Sequence, residues 1–224
     1  MINLTLKENT IGTDYIVGDI HGAFHKLDEC ISILGFNKEI DRLICVGDLC
    51  DRGGESEDCI NWLETSWFYS VQGNHERLLI DAYRTGDYDL HFQNGGAWFY
   101  VLQQDERVQY VEALGALPLT IEIPCNGKTY GVIHAECTGN DWEQTKKYLS
   151  EWYRPAVDRA MWARTKINSN DESLISCVDT VIVGHTIVDE PVLLGNVLYL
   201  HTCGWHKDGS FSFFNLQKET IKTI

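Results

Sequence analysis

The sequence predicts an α/β fold with a largely parallel sheet. In the N-terminal half, short apolar segments typical of strands alternate with segments whose apolar residues recur at helical spacing. Such alternation is typical of sheets whose strands are joined by crossover helices. The chain has 224 residues, of which 44% are hydrophobic and 23% charged. This is an ordinary globular composition, and the length allows a sizeable core without disulfides.

Three strands and three helices are predicted before residue 84. Leu27, Ile31 and Leu34 share one helical face, and Gly35 follows them at a position where helix C-termini favour glycine. The predicted strands are 15–17, 43–46 and 68–71, and the predicted helices are 23–34, 56–64 and 76–83.

The rest of the chain is predicted to contain mainly helices, a hairpin and three late strands. Residues 90–117 have helical character with a break near Gly95 and Gly96. Asn126-Gly127 is a strong hairpin signal between strands 119–123 and 130–133. Further helices are predicted at 142–149 and 155–164, and further strands at 180–183, 197–200 and 211–216. Because no repeat or linker interrupts the chain, we expect a single domain over residues 1–224.

Composition argues against several classes of function. A net charge of −15 at pH 7 argues against a nucleic-acid partner bound through a broad basic surface. No apolar run approaches the roughly 18 residues that a membrane span needs, and residues 1–10 contain no apolar signal core. We therefore expect no membrane partner and a cytoplasmic location. The eight cysteines form no CxxC pair, which favours free, buried thiols over a zinc cluster.

Metal-competent side chains follow five of the predicted strands. Ligands of open α/β sheets bind outside the carboxyl ends of strands, where these side chains should meet. The donors are Asp19, His21, Asp48, Asn74, His134 and His185. Any one of them alone would be an ordinary helix cap or turn residue. Six oxygen and nitrogen donors are too many for one tetrahedral ion and suit two divalent metals that share a carboxylate.

Five short blocks carry a resemblance to a known family. Residues 18–22 (GDIHG), 47–53 (GDLCDRG) and 73–76 (GNHE) resemble the signature blocks of the phosphoprotein phosphatase family of metallophosphoesterases. Residues 134–136 and 184–186 resemble its later histidine blocks. The likeness is greatest to the small bacterial and phage-type protein serine/threonine phosphatases. It implies a layered fold in which helices flank a central β-sandwich, with a dinuclear metal site at the carboxyl ends of the strands.

The resemblance also implies which residues bind the metals. One metal would be held by Asp19, His21 and Asp48, and the second by Asp48, Asn74, His134 and His185. Asp48 would bridge the two metals. The mixed donors suit Mn, Fe or Zn, and the resemblance favours Mn. A water bridging two divalent cations becomes a hydroxide nucleophile at physiological pH, which attacks the phosphorus directly.

Four further residues receive roles from the resemblance. His75 would be the general acid that protonates the leaving alkoxide, and Asp51 would orient its imidazole. Arg52 would hold phosphate oxygens. Arg164, in a looser match, resembles a further phosphate-binding arginine, although a helical arginine is more often a solvated surface residue.

Two positions depart from the family pattern. Gln72 stands where an arginine is common, and its spacing from Asn74 in an extended segment predicts that it faces the substrate cleft. His201 stands where an acidic residue is more usual. A buried or capping histidine is the favoured interpretation of His201, with an approach to the metal edge as the alternative. Three other histidines are interpreted as surface or turn residues: His25, His91 and His206.

Three functions remain open at this stage. The leading hypothesis is a metal-dependent phosphomonoesterase that acts on phosphoserine or phosphothreonine in proteins. A second is a symmetrical diadenosine tetraphosphate hydrolase, because such enzymes resemble the same blocks. A third is a metal-stabilised binding module without catalysis, against which the presence of His75, Asp51 and Arg52 argues. The sequence leaves the physiological substrate, the native metal and the oligomeric state open.

Overall fold

The computed structural model describes residues 2–224, and their strands form two β-sheets. The strands are β1 (Asn3–Thr5), β2 (Asp14–Val17), β3 (Arg42–Cys45), β4 (Phe68–Ser70), β5 (Thr120–Cys125), β6 (Lys128–Ile133), β7 (Thr180–Val183), β8 (Val192–Leu194), β9 (Val197–Tyr199), β10 (Ser212–Asn215) and β11 (Thr220–Thr223). The order of the first sheet is β11-β10-β2-β3-β4, and that of the second is β1-β5-β6-β7-β9-β8.

Helices lie between these strands. The α-helices are α1 (Phe24–Leu34), α2 (Cys59–Leu63), α3 (Asn74–Thr85), α4 (Asp89–Gln93), α5 (Gln104–Gly115), α6 (Trp142–Ser150), α7 (Arg154–Trp162) and α8 (Thr165–Asn168). Two 3₁₀ helices span Ser56–Asp58 and Gly96–Val101. No helix within residues 2–224 has the length and apolar character that crossing a bilayer requires.

The two sheets pack face to face with helices on both outer faces. Ile16 and Ile44 of the first sheet share a buried cluster with Val132 and Ile182 of the second. Burying one such side chain contributes about 1.5–3 kcal/mol. On the outer faces, a second cluster packs α1, α3 and α5 against the first sheet, and a third packs α6 and α7 against the second. The predicted layered fold, with helices flanking a central sandwich, is confirmed.

Both sheets are mixed rather than largely parallel. The strands β2, β3 and β4 are parallel, but β10 runs antiparallel to β2 and to β11. In the second sheet β6, β7 and β9 are parallel to one another and β1 is parallel to β5, while β5 is antiparallel to β6 and β8 to β9. The hairpin predicted at Asn126-Gly127 joins β5 to β6, and both of its residues have positive φ. The prediction missed β1, β8 and β11, which are short strands at the sheet edges.

The predicted helical region 90–117 is divided into α4, a 3₁₀ helix and α5. The break near Gly95 has a packing reason. Gly95 has a φ of 102°, and a Cβ built on it would lie 2.5 Å from the backbone nitrogen of Arg52. Only glycine permits this approach, so the segment must interrupt its helix to reach the loop that carries Arg52.

The cysteines are free thiols, as predicted. Six are buried, whereas Cys177 is exposed and Cys203 is half-buried, so those two differ from the predicted burial.

Candidate metal centre

The site lies where strand ends of the two sheets meet. Gly18 follows β2, and a Cβ built on it would lie 2.7 Å from the carbonyl oxygen of Leu200, which follows β9. A Cβ on Gly184, after β7, would collide with a carboxylate oxygen of Asp19. Glycine at these two positions therefore lets the sheet edges approach closely enough for donors from both sheets to meet.

The loop after β3 is held in an unusual backbone conformation. Asp48 has a φ of 54° and follows Gly47, whose φ is 101°. The buried carboxylate of Glu76 stabilises the loop. It accepts hydrogen bonds from the backbone N–H groups of Asp48 (2.9 Å), Leu49 (2.7 Å) and Gly73 (2.7 Å). Burial and the negative charge of Asp48 raise the pKa of Glu76 to about 7. Glu76 thereby ties the loop to the start of α3.

One group of donors, which we call the first cluster, consists of Asp19, His21 and His201. All three side chains are buried. His21 Nε2 lies 3.9 Å from Asp19 Oδ2, and His201 Nδ1 lies 3.6 Å from the same oxygen. One donor atom from each residue lies within 4.8 Å of the others, which suits coordination of a single ion.

A second group, the second cluster, consists of Asn74, His134 and His185. The side-chain oxygen of Asn74 lies 2.9 Å from His134 Nε2 and 2.8 Å from His185 Nδ1. Asp48 stands between the two clusters. Its Oδ2 lies 3.7 Å from His21 Nε2 and 3.5 Å from His134 Nε2. The six predicted donors are therefore brought together, with Asp48 between the two clusters.

The imidazoles of both clusters are oriented by backbone carbonyls. His21 Nδ1 lies 3.1 Å from the carbonyl oxygen of Cys50, and His134 Nδ1 lies 2.8 Å from that of Val46. A carbonyl oxygen only accepts, so Nδ1 of each ring carries a proton and Nε2 is left to bind a cation. This is the hydrogen bonding that a metal-binding histidine normally makes.

The charges and unpartnered atoms also fit divalent cations. Burial, together with the charge of Asp48, raises the pKa of Asp19 well above its usual range. Two buried carboxylates that repel each other need a compensating positive charge. Two buried ring nitrogens of the first cluster have no hydrogen-bond partner, namely His21 Nε2 and His201 Nδ1. The donor set therefore fits two divalent cations, one in each cluster.

His75 and Asp51 form a buried pair beside the clusters. His75 Nδ1 lies 2.8 Å from Asp51 Oδ2, while its Nε2 has no hydrogen-bond partner and lies 3.9 Å from Asp48 Oδ2. The indole N–H of Trp98 donates to Asp51 Oδ1 at 2.8 Å, and His91 Nε2 lies 3.1 Å from that oxygen. Asp51 is thus fixed by three partners and in turn orients the imidazole of His75.

Arg52 and Arg164 lie near different clusters. Arg52 is exposed, has a φ of 64°, and places its guanidinium 5.5 Å from the ring centre of Trp205, which also packs against His21. Arg164 is exposed and precedes α8. Burial, the nearby His134 and the charge of Arg164 lower the pKa of His185 to about 3. Arg52 therefore lies by the first cluster and Arg164 by the second.

Two expectations from the sequence, those for Gln72 and His91, need correction. Gln72 does not offer its side chain to a cleft, because it is buried and its Nε2 donates to the carbonyl oxygen of Leu114 at 2.8 Å. His91 is not a surface residue but is buried against Asp51, because the turn at Gly95 folds its segment inward. His201 is buried as favoured, but it also reaches the metal edge. His25 and His206 are exposed, as predicted.

Sequence reasoning assigned no role to Glu76, Trp98 or Trp205. A signal existed for Glu76, because Gly73 and Glu76 have the spacing of a capping box at the start of α3. No local pattern marks Trp98 and Trp205, whose positions depend on long-range packing.

The chain is similar to phosphoesterases over most of its length. A family model described as calcineurin-like phosphoesterase matches residues 15–189. Serine/threonine-protein phosphatase 2 of Escherichia coli (strain K12) is 34% identical over 206 residues, which cover 91% of this chain and 92% of that protein. The symmetrical bis(5'-nucleosyl)-tetraphosphatase of Erwinia tasmaniensis is 39% identical, but over 77 residues that cover 34% of this chain and 24% of that protein.

The fold is shared with solved structures. A crystal structure described as a candidate diadenosine tetraphosphatase superposes with a TM-score of 0.70 at 22% identity, covering 100% of this chain and 97% of that one. At this identity the likeness concerns the fold alone. The family match and the relative in E. coli, in contrast, cover the strand-end blocks described above. The chain therefore belongs to the calcineurin-like phosphoesterase family of metallophosphoesterases.

Proposed function

We propose that this protein is a metal-dependent phosphatase that hydrolyses phosphoserine and phosphothreonine in phosphorylated proteins. The observation that carries the proposal is the arrangement of two metal-competent clusters around Asp48, with the His75–Asp51 pair next to them. The similarity to a bacterial serine/threonine-protein phosphatase over 91% of the chain supports the substrate class.

We propose that two divalent cations occupy the clusters. Asp19, His21 and Asp48 hold the first cation, and the second is held by Asp48, Asn74, His134 and His185. Manganese is the proposed metal, and the mixed donors also suit Fe or Zn. When bound, the cations lower the pKa of a coordinated water and neutralise phosphate oxygens. This chemistry lets a dianionic ester approach a chain with a net charge of −15.

The role of His75 is to give a proton to the leaving oxygen of the substrate. Burial lowers the pKa of His75, but the negative charges of Asp48 and Asp51 outweigh burial and raise it. A raised pKa favours the protonated imidazole, which is the form that a general acid needs. Because Asp51 occupies Nδ1, the free Nε2 faces the clusters and can reach the leaving group.

The two arginines bind the phosphate. Arg52 supplies a planar set of donors for phosphate oxygens, and its stacking on Trp205 restricts the guanidinium to the side of the first cluster. Arg164 supplies positive charge from the side of the second cluster. Phosphoryl transfer depends mainly on such positioning and charge stabilisation.

Hydrolysis of diadenosine tetraphosphate is the alternative activity. It is favoured by the partial match to a symmetrical tetraphosphatase, which covers 34% of the chain. Turnover of a phosphoserine peptide and of diadenosine tetraphosphate by the same preparation separates the two activities. We expect a kcat/KM for the phosphopeptide that exceeds the value for the dinucleotide. The reverse order would overturn the proposed substrate class.

A third possibility, a metal-stabilised binding module without catalysis, is tested by hydrolysis of p-nitrophenyl phosphate. Metal-free protein is assayed alone and after addition of Mn, Zn or Mg. We expect turnover only with added metal, and the absence of turnover with every metal would favour the binding module. A single domain over residues 1–224, a cytoplasmic location and the absence of nucleic-acid and membrane partners stay predictions.

A further inference from the structure

We propose that His201 is a metal ligand that binds the first cation through Nδ1 and completes that site with a fourth protein donor. This inference rests on the proposed two-cation function. It adds His201 as a seventh metal ligand to the six donors at the other strand ends.

The position of His201 in the sheet matches that of His185. Strands β7 and β9 are parallel neighbours, with Val183 opposite Tyr199. His185 and His201 each stand two residues beyond these partners, at the same level of the sheet edge. Each is followed by a threonine whose N–H donates to the carbonyl oxygen of the residue before the histidine. The sheet therefore delivers two imidazoles side by side at its carboxyl edge.

The two clusters also have equivalent donors around Asp48. Each contains an imidazole that faces the cluster with Nε2 and has its Nδ1 against a backbone carbonyl, namely His21 and His134. The second cluster adds an imidazole that faces it with Nδ1, which is His185. The equivalent atom of the first cluster is Nδ1 of His201. With His201 included, each cation has two imidazoles, the shared carboxylate and one further side-chain oxygen.

The Nδ1 atom of His201 is buried and makes no hydrogen bond with its surroundings. The side chain is 1% exposed, and Nδ1 has no hydrogen-bond partner. Its nearest acidic oxygen, Asp19 Oδ2, lies 3.6 Å away, which is too long for a hydrogen bond. Buried polar atoms are nearly always satisfied, so a histidine with a purely structural role would be expected to bond a neighbour. A cation between His201, Asp19 and His21 satisfies this atom.

An imidazole at this position changes the metal preference of the first site. Nitrogen ligands favour Zn, Fe and Co, whereas an all-oxygen environment favours Mg and Mn. We expect His201 to raise the affinity of the first site for Zn and Co relative to Mg. Replacing it by the acidic residue that is more usual at this position, His201→Asp, should reduce that preference, while His21 keeps one nitrogen ligand in the site.

Metal binding without substrate tests the proposal. Metal-free protein is titrated with Co²⁺, and calorimetry and visible absorption report the two equivalents. His201→Ala and His201→Asn should weaken one equivalent at least about tenfold, on the scale known for changes around metal ligands, and leave the other within about twofold. His25→Asn is the matched control, because that exposed histidine lies outside both clusters. It should bind Co²⁺ like the wild type.

A second measurement on the unmodified protein does not depend on the folding of a variant. In protein with ¹⁵N-labelled histidine loaded with ¹¹³Cd²⁺, we expect scalar coupling between Cd and Nδ1 of His201. Coupling to the other cluster imidazoles without any to His201 would overturn this inference while leaving the proposed function intact. Failure of the wild type to bind two equivalents would overturn the proposed function and the inference with it.

Discussion

The two metal clusters use equivalent donors, but they differ in how those donors are held. In the second cluster, His185 Nδ1 lies 2.8 Å from the Asn74 oxygen, so a hydrogen bond can join these two donors without a cation. In the first cluster, the distances from Asp19 to His21 and His201 are 3.9 and 3.6 Å. These distances exceed hydrogen-bond length, so only a cation can join the donors there.

The two clusters therefore differ in how far they form before metal binding. The second cluster is partly held together by hydrogen bonding, whereas the donors of the first cluster are joined only when a cation binds. The clusters are coupled directly, since the backbone N–H of His185 donates to both carboxylate oxygens of Asp19 at 3.1 and 3.2 Å. The first cluster should therefore respond more strongly to loss of metal, and Asp48 should matter equally to both.

Replacing Asp48 should have the largest effect, because Asp48 contributes to both clusters. Asp48→Asn removes the charge shared by the clusters, so we expect both metal equivalents to be lost and kcat to fall by at least about 10⁴-fold. Elemental analysis and phosphopeptide turnover measure this. Asp28→Asn, an exposed change outside the clusters, is the control and should retain two metals. Retention of one tight equivalent in Asp48→Asn would mean that Asp48 is not a bridge.

Replacing His75 separates proton donation from metal binding. His75→Asn should lower kcat for a phosphoserine peptide by roughly 10²–10⁴-fold while the metal content stays at two. The loss should be much smaller for p-nitrophenyl phosphate, whose leaving group needs little protonation. Equal losses for the two substrates would argue that His75 is not the acid.

The arginines allow the two sides of the site to be compared. Arg52→Ala should cost about 2–4 kcal/mol of transition-state stabilisation, the range for removing one preorganised electrostatic donor. Arg164→Ala should cost less, because both arginines are exposed but the guanidinium of Arg52 is held in place by its contact with Trp205. The values of kcat/KM of both variants for one phosphopeptide show which arginine contributes more. A larger loss for Arg164→Ala would reverse the order of importance.

Trp98 should have a smaller effect, which acts through Asp51. Trp98→Phe removes a hydrogen bond to a buried carboxylate and should lower the free energy of unfolding by about 1.5–3 kcal/mol. Looser positioning of His75 should reduce kcat for phosphoserine more than for p-nitrophenyl phosphate, with an unchanged KM. Equal small losses of kcat for both substrates would mean that Trp98 contributes to packing and does not position His75.

Removing the metals with a chelator tests whether the first cluster depends more on its cation than the second. Because only a cation joins the donors of the first cluster, amide exchange should accelerate severalfold more at residues 201–205 than at residues 184–186. Exchange measured by mass spectrometry before and after chelation reports both segments. Equal acceleration in the two segments would contradict the difference between the clusters.

The sequence predicted the parts of the site that depend on local pattern. Asp19, Asp48 and Asn74 each follow a buried strand within a glycine-rich block, so their place at the sheet edge followed from topology. Gln72 and His91 were misassigned because their partners, Leu114 and Asp51, are 42 and 40 positions away in the chain. Hydrogen bonds over such separations leave no local pattern, and the same holds for the missed strand β1, whose Asn3 pairs with Thr120 of β5.

The most direct test of the central claim is a metal titration of activity. Metal-free protein receives increasing Mn²⁺, and the initial rate of phosphate release from a phosphoserine peptide is measured at each ratio of metal to protein. The claim predicts no activity without metal and a rate that rises until about two equivalents are bound. A rate that saturates at one equivalent, or turnover by the metal-free protein, would contradict a dinuclear phosphatase.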